Sequence, residues 1–296
     1  MYLDQFHKTS GQFERVVFHE PVVAVEAVTE RQMEEPGATE FLDLSFTRID
    51  MKGALEAIVS RPPTAPFCYI VTPNVDHVVR LQRRRSDLWP AYRGAWMTLC
   101  DSRILAKMAR AVGRDLTVVT GSDLTAALFE NGIGPNDRIA ILGGSEAMVE
   151  RIAARYGLRD LRHYNPPMGF IRNAREVAKA VRFLAEARAR YVFLAVGSPQ
   201  QEVIARRLAR TRGACGIGLC VGAGLEFLTG DQDRAPRMVQ QMSLEWLYRL
   251  GSDPRRLWRR YLVEGPQIFR IHQVWRRMTP GFPDRALHRT AGGVPS

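Results

Sequence analysis

Short, continuous apolar runs alternate along this chain with amphipathic stretches of helical period. Residues 191–197, YVFLAVG, are apolar throughout and end in a glycine, the pattern of a parallel strand covered on both faces. Residues 216–221, GIGLCV, repeat the pattern and run into a glycine-rich turn, GAGLEFLTG, at 222–230. Ser198 reads as the N-cap and Pro199 as the first residue of the helix between these two strands. Phe67–Val71 predicts an earlier strand, closed by the turn Thr72-Pro73-Asn74 and followed by a helix that packs through Val78, Val79 and Leu81. WMTLC at 96–100 predicts another, and Ile104, Leu105, Met108 and Val112 line the helix after it.

The remaining segments continue the alternation. FLDLSFTRIDMKGALEAIVS at 41–60 reads as a strand, a turn and an amphipathic helix, and the helix within 117–132 ends near Gly132 with Ser122 or Asp123 as its cap. Residues 137–157 read as a strand, a Gly143-Gly144 turn and a helix; 161–170 as a short strand and a proline-rich loop; 175–189 as a helix. The expected fold is therefore α/β: a Rossmann-like, mainly parallel sheet with helices on both faces and right-handed crossovers, plus a basic helical C-terminal appendage. The expected boundaries are a partly disordered N-terminal extension over 1–39, with EEPGATE at 34–40 as linker, an α/β core over 40–233, an arginine-rich helical appendage over 234–277, and a disordered tail over 278–296.

Composition agrees with one large domain, since 296 residues with 46% hydrophobic side chains can bury a full core. No apolar run approaches the roughly 18 residues of a membrane span, and the opening MYLDQFHKTSG is polar and mixed in charge, so the expectation is a cytosolic protein. Cys68, Cys100, Cys215 and Cys220 lie in or beside apolar runs, which predicts reduced core thiols. The six histidines show no HxxxH or HExxH pairing, and neither a metal nor a cofactor is expected.

Charge changes the picture more. The net charge is +11, and Arg234–Arg277 carries ten arginines against Glu245, Asp253 and Glu264. That excess calls for an anionic partner. The arginines interleave with Trp246, Trp258, Tyr261, Phe269 and Trp275, which suits an anionic membrane surface or a diphosphate better than plain solvation. From Gly265-Pro266 onward an amphipathic run leaves two arrangements open, a helix packed on the core or one lying on lipid.

Ligands of open α/β sheets bind beyond the C-terminal ends of the strands, and several polar residues fall there. Asp101 ends one strand, where it suits either the cap of the next helix or a catalytic base. Thr72 and Asn74 suit turn chemistry as well as a site. Gly143-Gly144 admits a close backbone or ligand, and the helix start beyond it favours anions. Asp231 and Asp233, in DQDRAP, read as a polar turn before Pro236 rather than a metal pair.

Taken in order, Gly197, Pro199, Gln201 and Glu202, then Val221, Gly222, Phe227 and Gly230, then RAP at 234–236, LEWLYRL at 244–250 and DPRRLWRRYL at 253–262 resemble the WecG/TagA/CpsF family of glycosyltransferases, glycosyltransferase family 26. The resemblance covers roughly residues 40–265 and includes TGSDL at 120–124, hence Gly121, Ser122 and Asp123. It implies an inverting, metal-independent transfer from a UDP-sugar to a polyprenyl-diphosphate-linked saccharide, in cell-surface polysaccharide synthesis at the inner face of the membrane. By the same resemblance Asp101 is the base, with Thr72 and Asn74 beside it. Gln201 contacts substrate, and Arg249, Arg256 and Arg259 meet the departing diphosphate. The chain departs from the family in having Ser102 where glycine is usual and Glu226 where aspartate is usual. Oligomeric state stays open.

Rival classes fare worse. A dinucleotide-binding oxidoreductase calls for G-x-G-x-x-G after an early strand, and residues 222–230 do not match that spacing. A nucleic-acid-binding protein accounts for the charge but gives Asp101 and the glycine turns no task, so no nucleic-acid partner is expected. A family member that has lost catalysis and serves as a membrane-bound subunit is the remaining alternative.

Overall fold

The computed structural model of the chain describes residues 37–230 and 245–279. It begins with an antiparallel hairpin, β1 (Ala38–Phe41) and β2 (Leu44–Thr47), in place of the single strand expected within 41–60. Thr39 and Phe41 alternate inward, so Ala38–Glu40 is strand and not linker. Leu42 and Asp43 form the turn at φ 52° and 64°, the mirror-image geometry that matches strand twist. Leu42 is fully buried, and that contact offsets the roughly 1–2 kcal/mol that a left-handed backbone costs an L-residue. Helix α1 (Met51–Ser60) follows, capped by the Asp50 carboxylate, which accepts the Gly53 N–H at 2.8 Å.

The core is a six-stranded sheet of β3 (Cys68–Val71), β4 (Met97–Thr98), β5 (Arg138–Leu142), β6 (Asp160–Tyr164), β7 (Tyr191–Leu194) and β8 (Ile217–Cys220). Their order is β4-β3-β8-β7-β5-β6, and every neighbouring pair is parallel. All four residues of β7 are buried, as an apolar run with no polar alternation requires. The helices between strands are α2 (Val75–Arg83), α3 (Trp89–Arg93), α4 (Arg103–Arg110), α5 (Gly121–Asn131), α6 (Glu146–Tyr156), α7 (Ala174–Ala187) and α8 (Gln200–Ala209), with the short α9 (Glu226–Thr229) after β8. Successive strand residues point to opposite faces. Val192 and Leu194 accordingly join a cluster with α2, α7 and α8, while Tyr191 and Phe193 join one with α1, α5 and α6.

Three helix starts differ in detail from the expectation. Thr120, not Ser122 or Asp123, caps α5, its hydroxyl accepting the Asp123 N–H at 3.1 Å. Ser102 caps α4 through the Leu105 N–H at 3.2 Å. Pro199 takes the N-cap position of α8, because the Ser198 hydroxyl turns inward to donate to Glu202.

The described C-terminal residues form helices Glu245–Ser252 and Pro254–Trp258, a wide π-type turn over Arg259–Glu264, and a helix, Gln267–Met278. Ile268 and Ile271 of this last helix are buried in the α2-side cluster, and Trp275 meets the Phe41 ring edge-on at 5.3 Å. Of the two arrangements left open by the sequence, core packing holds for this face. Each buried isoleucine contributes about 1.5–3 kcal/mol to holding the helix there. Phe269, Val274 and Met278 of the same helix are exposed. Arg84 at the end of α2 pairs with Glu264 at 2.8 Å and ties the π-type turn to the core. The expectations for the N-terminal extension before residue 37, for Asp231, Asp233 and the RAP string at 234–236, and for the tail beyond 279 lie outside the described residues.

Candidate functional site

Because every sheet strand runs the same way, the segments after β3, β4, β5, β7 and β8 emerge at one edge. Thr72 and Asn74 follow β3, Asp101 follows β4, Gly143 and Gly144 follow β5, Gln201 opens α8 after β7, and Glu226 opens α9 after β8.

Asp101 is the centre of the closest grouping. Its N–H donates to the Pro73 carbonyl at 3.2 Å, and the Cys100 carbonyl accepts the Val119 N–H at 3.0 Å, so the ends of β3 and β4 and the approach to α5 are joined by backbone bonds. With Ser102 capping α4, the Asp101 carboxylate turns to another helix, and its Oδ2 accepts the Gly121 N–H at 3.2 Å. The positive end of α5 thus faces the carboxylate and favours its charge. A Cβ on Gly121 would stand 2.9 Å from Thr72 Oγ1, so the glycine lets the first turn of α5 close onto the end of β3. Thr72, Asp101 and Gly121 therefore form one contact group. Burial pushes the neighbouring Cys100 thiol up to about 12, which leaves it protonated and no rival nucleophile.

Ser122 and Asp123 belong to the same turn through local bonds. The Thr120 hydroxyl donates to Asp123 Oδ2 at 2.6 Å and lies 3.3 Å from Ser122 Oγ. Asn74 caps α2, its Oδ1 accepting the Asp76 and His77 N–H groups at 3.1 and 3.3 Å. Gly143 has φ +95°, and a Cβ there would fall 2.8 Å from the Ala195 carbonyl, so its lack of a side chain serves the join between β5 and β7. The Gly143 carbonyl also meets His163 Nε2 at 3.1 Å.

Gln201 is only 3% exposed, and both ends of its amide are engaged within the protein. Its Oε1 accepts the Gly222 N–H at 2.8 Å, and its Nε2 donates to Glu202 Oε1 at 2.9 Å. Ser198 Oγ donates to Glu202 Oε2 at 2.9 Å and accepts from Arg80 Nη1 at 3.1 Å, while Arg80 Nη2 pairs with Asp76 at 2.7 Å. Tyr92 OH meets His77 Nδ1 at 3.2 Å, and that ring nitrogen is 3.9 Å from Glu202 Oε1. Burial holds the Glu202 carboxyl above its ordinary range, against hydrogen bonds from Gln201 and Ser198 and the pull of Arg80. Arg80, His77, Tyr92 and Ser198 were no part of the candidate set. The sequence signal for this cluster lies in the adjacent Gln201 and Glu202, the second a carboxylate in the first turn of a helix with a buried face.

Glu226 is exposed at the start of α9, and Arg259 is exposed with Glu264 at 3.9 Å. Arg249 lies in the helix Glu245–Ser252 and Arg256 in the helix Pro254–Trp258; their side chains are outside the described residues. The structure therefore brings together Thr72, Asp101, Gly121, Ser122 and Asp123. Asn74, Gln201 and Gly143 sit at neighbouring strand ends and hold backbone. No helix among the described residues is long and apolar enough to cross a membrane.

A basic chain with a carboxylate set at the rim of a parallel sheet fits group transfer from an anionic donor. A family model described as Glycosyl transferase WecG/TagA/CpsF family matches residues 39–281, which takes in the sheet, the strand-end residues and the arginine-bearing helices. The chain belongs to the WecG/TagA/CpsF family of glycosyl transferases.

Proposed function

We propose that the protein transfers a sugar from a UDP-sugar to a polyprenyl-diphosphate-linked saccharide, with inversion and without a metal ion, at the inner face of the membrane. The observation that carries this reading is the Asp101 carboxylate held at the N-terminus of α5 beside Thr72, at the edge where an open parallel sheet binds ligands. In the step, an acceptor hydroxyl gives its proton to Asp101 as its oxygen bonds to the anomeric carbon. The bond from that carbon to the β-phosphate oxygen breaks on the opposite face, and UDP departs with the electron pair. Arg249, Arg256 and Arg259 meet the departing charge; planar guanidinium forks suit diphosphate oxygens. Gly143-Gly144 and the start of α6 take part in holding the nucleotide, and Gln201 and Glu226 flank the sugar.

The acceptor is lipid-linked, and the appendage supplies a surface for it. Trp258, Leu262, Val263, Phe269, Val274 and Met278 are exposed among Arg255, Arg259, Arg270, Arg276 and Arg277. Apolar side chains interleaved with arginines favour insertion at an anionic interface.

The test is transfer from a panel of UDP-sugars to polyprenyl-diphosphate-linked N-acetylglucosamine or glucose in anionic liposomes, read by mass spectrometry for wild type and Asp101→Asn. Product from the wild type, reduced at least about 100-fold in Asp101→Asn, is the expected result. Equal activity of the two proteins places the base elsewhere.

A further inference from the structure

Glu202, in the buried cluster beneath the ends of β7 and β8, has no part in the chemistry above. Glu202 is 1% exposed and connects Ser198 to Gln201, and Gln201 in turn holds the N–H of Gly222, whose φ is +53°. The turn that Gly222 opens packs closely on α5. A Cβ at Gly224 would lie 3.5 Å from Thr125 Oγ1 and 3.7 Å from the Ser122 Cα. Thr125 Oγ1 donates to the Gly121 carbonyl at 2.6 Å, and the Gly121 N–H holds Asp101. A continuous series of contacts thus runs from a buried carboxyl to the strand-end carboxylate.

We propose that Glu202 is a positioning residue for the transfer: through Gln201 it holds the Gly222 turn against the first turn of α5, and so keeps the Gly121 N–H on the Asp101 carboxylate. The inference rests on the reading of Asp101 as the base. A backbone N–H only donates, so Gln201 must present Oε1 to Gly222, and its Nε2 must then find an acceptor. Glu202 Oε1 is that acceptor. Without it, a buried amide donor is left unpaired, which is costly enough to drive Gln201 to another rotamer and release Gly222. Burial keeps the Glu202 carboxyl toward its neutral form, so an amide in its place offers the same carbonyl to Gln201 and an N–H to Ser198.

Full-length Glu202→Gln and Glu202→Met are compared with wild type for Tm, for kcat and KM in the liposome assay, and for amide hydrogen exchange over residues 221–226. In Glu202→Met, Tm stays near the wild-type value, kcat falls about 10-fold or more, and exchange over that segment speeds at least about 10-fold. Glu202→Gln restores both to within about threefold of wild type, and the double variant Gln201→Met/Glu202→Met is no worse than either single one. Should Glu202→Met fail to fold, Gln201→Met severs the same link from its other end. Wild-type exchange at 221–226 in a variant lacking the link overturns the proposal, as does a lowered Tm with kcat per folded molecule unchanged. A wild type that makes no product with any donor refutes the transfer reading, and the exchange comparison still decides whether Glu202 holds the turn.

Discussion

Adding one methyl group at Gly121 separates the fold from its chemistry. The new Cβ in Gly121→Ala would stand 2.9 Å from Thr72 Oγ1, whereas an unstrained contact with carbon needs roughly 3.5 Å. The Cγ2 and Cβ of Thr72, at 3.5 and 3.6 Å from the same point, are in ordinary contact, so the crowding is with the hydroxyl. Where Thr72 keeps its rotamer, the first turn of α5 retreats by about 0.5 Å. The Gly121 N–H lies 3.2 Å from Asp101 Oδ2, already at the long end of a hydrogen bond, so a shift of that size weakens the pair and, directed away from Asp101, breaks it. Stability is less affected, since alanine in place of glycine gains about 0.5–1 kcal/mol in a helix and sets that against the crowding. The expected result is a Tm near wild type and a kcat about 10- to 100-fold lower in the liposome assay. An alanine variant with wild-type Tm and kcat within about threefold of wild type would refute the claim that this contact sets the carboxylate.

Two further outcomes are expected. Glu202 has its folded pKa raised above 4.5, so between that value and its folded pKa the native protein keeps a proton that the unfolded chain has released. Its contribution is complete below pH 4.5 and is lost as pH rises through the folded pKa, at up to about 1.4 kcal/mol per pH unit. Urea unfolding from about pH 4 to about pH 8 should show this slope in wild type and not in Glu202→Gln; His77, Tyr92, Arg80 and Cys220 surround the carboxyl in both proteins, so identical profiles would exclude Glu202 as the source. Phe269→Ser combined with Leu262→Ser should weaken co-sedimentation with anionic vesicles by about 10-fold or more while leaving Tm unchanged, since both side chains are already exposed in the free protein. Unchanged partitioning would remove these side chains from the proposed membrane-facing surface.

The strands and most helix limits were legible because they depend on local pattern. YVFL, short, rich in β-formers and closed by a glycine turn, reads as a buried strand, and the Gly132 end of α5 follows from the last apolar residues before it. The helix Gln267–Met278 shows how far periodicity reaches: Ile268, Ile271 and Trp275 fall at helical spacing and meet the core, but only the structure shows Phe41 waiting for them. Which residue caps a helix was not legible where good caps stand side by side. Asp101 and Ser102 are both favoured at an N-cap, and Thr120, Ser122 and Asp123 compete within four positions. The Arg80 to Ser198 bond spans 118 positions, so nothing in either neighbourhood points to the other. Sheet order lies beyond local pattern for the same reason, as β3 pairs with β8 across most of the domain.

The docking of Gln267–Met278 bears on how, in the proposed transfer, the arginines reach a phosphate. Gly230, at the end of α9, belongs to the described core, and the chain is held to that core again through the Arg84–Glu264 pair and Ile268. Residues 231–266, which include Arg249, Arg256 and Arg259, are thus tied at both ends. On the proposed reading, their meeting with a diphosphate at the strand ends is an intramolecular event, governed by an effective concentration of order millimolar rather than by the amount of protein present. Such guanidinium groups need little intrinsic affinity for the donor. In the proposed transfer they act late, when the leaving oxygen carries most charge, and let go of UDP without ever being lost to solution.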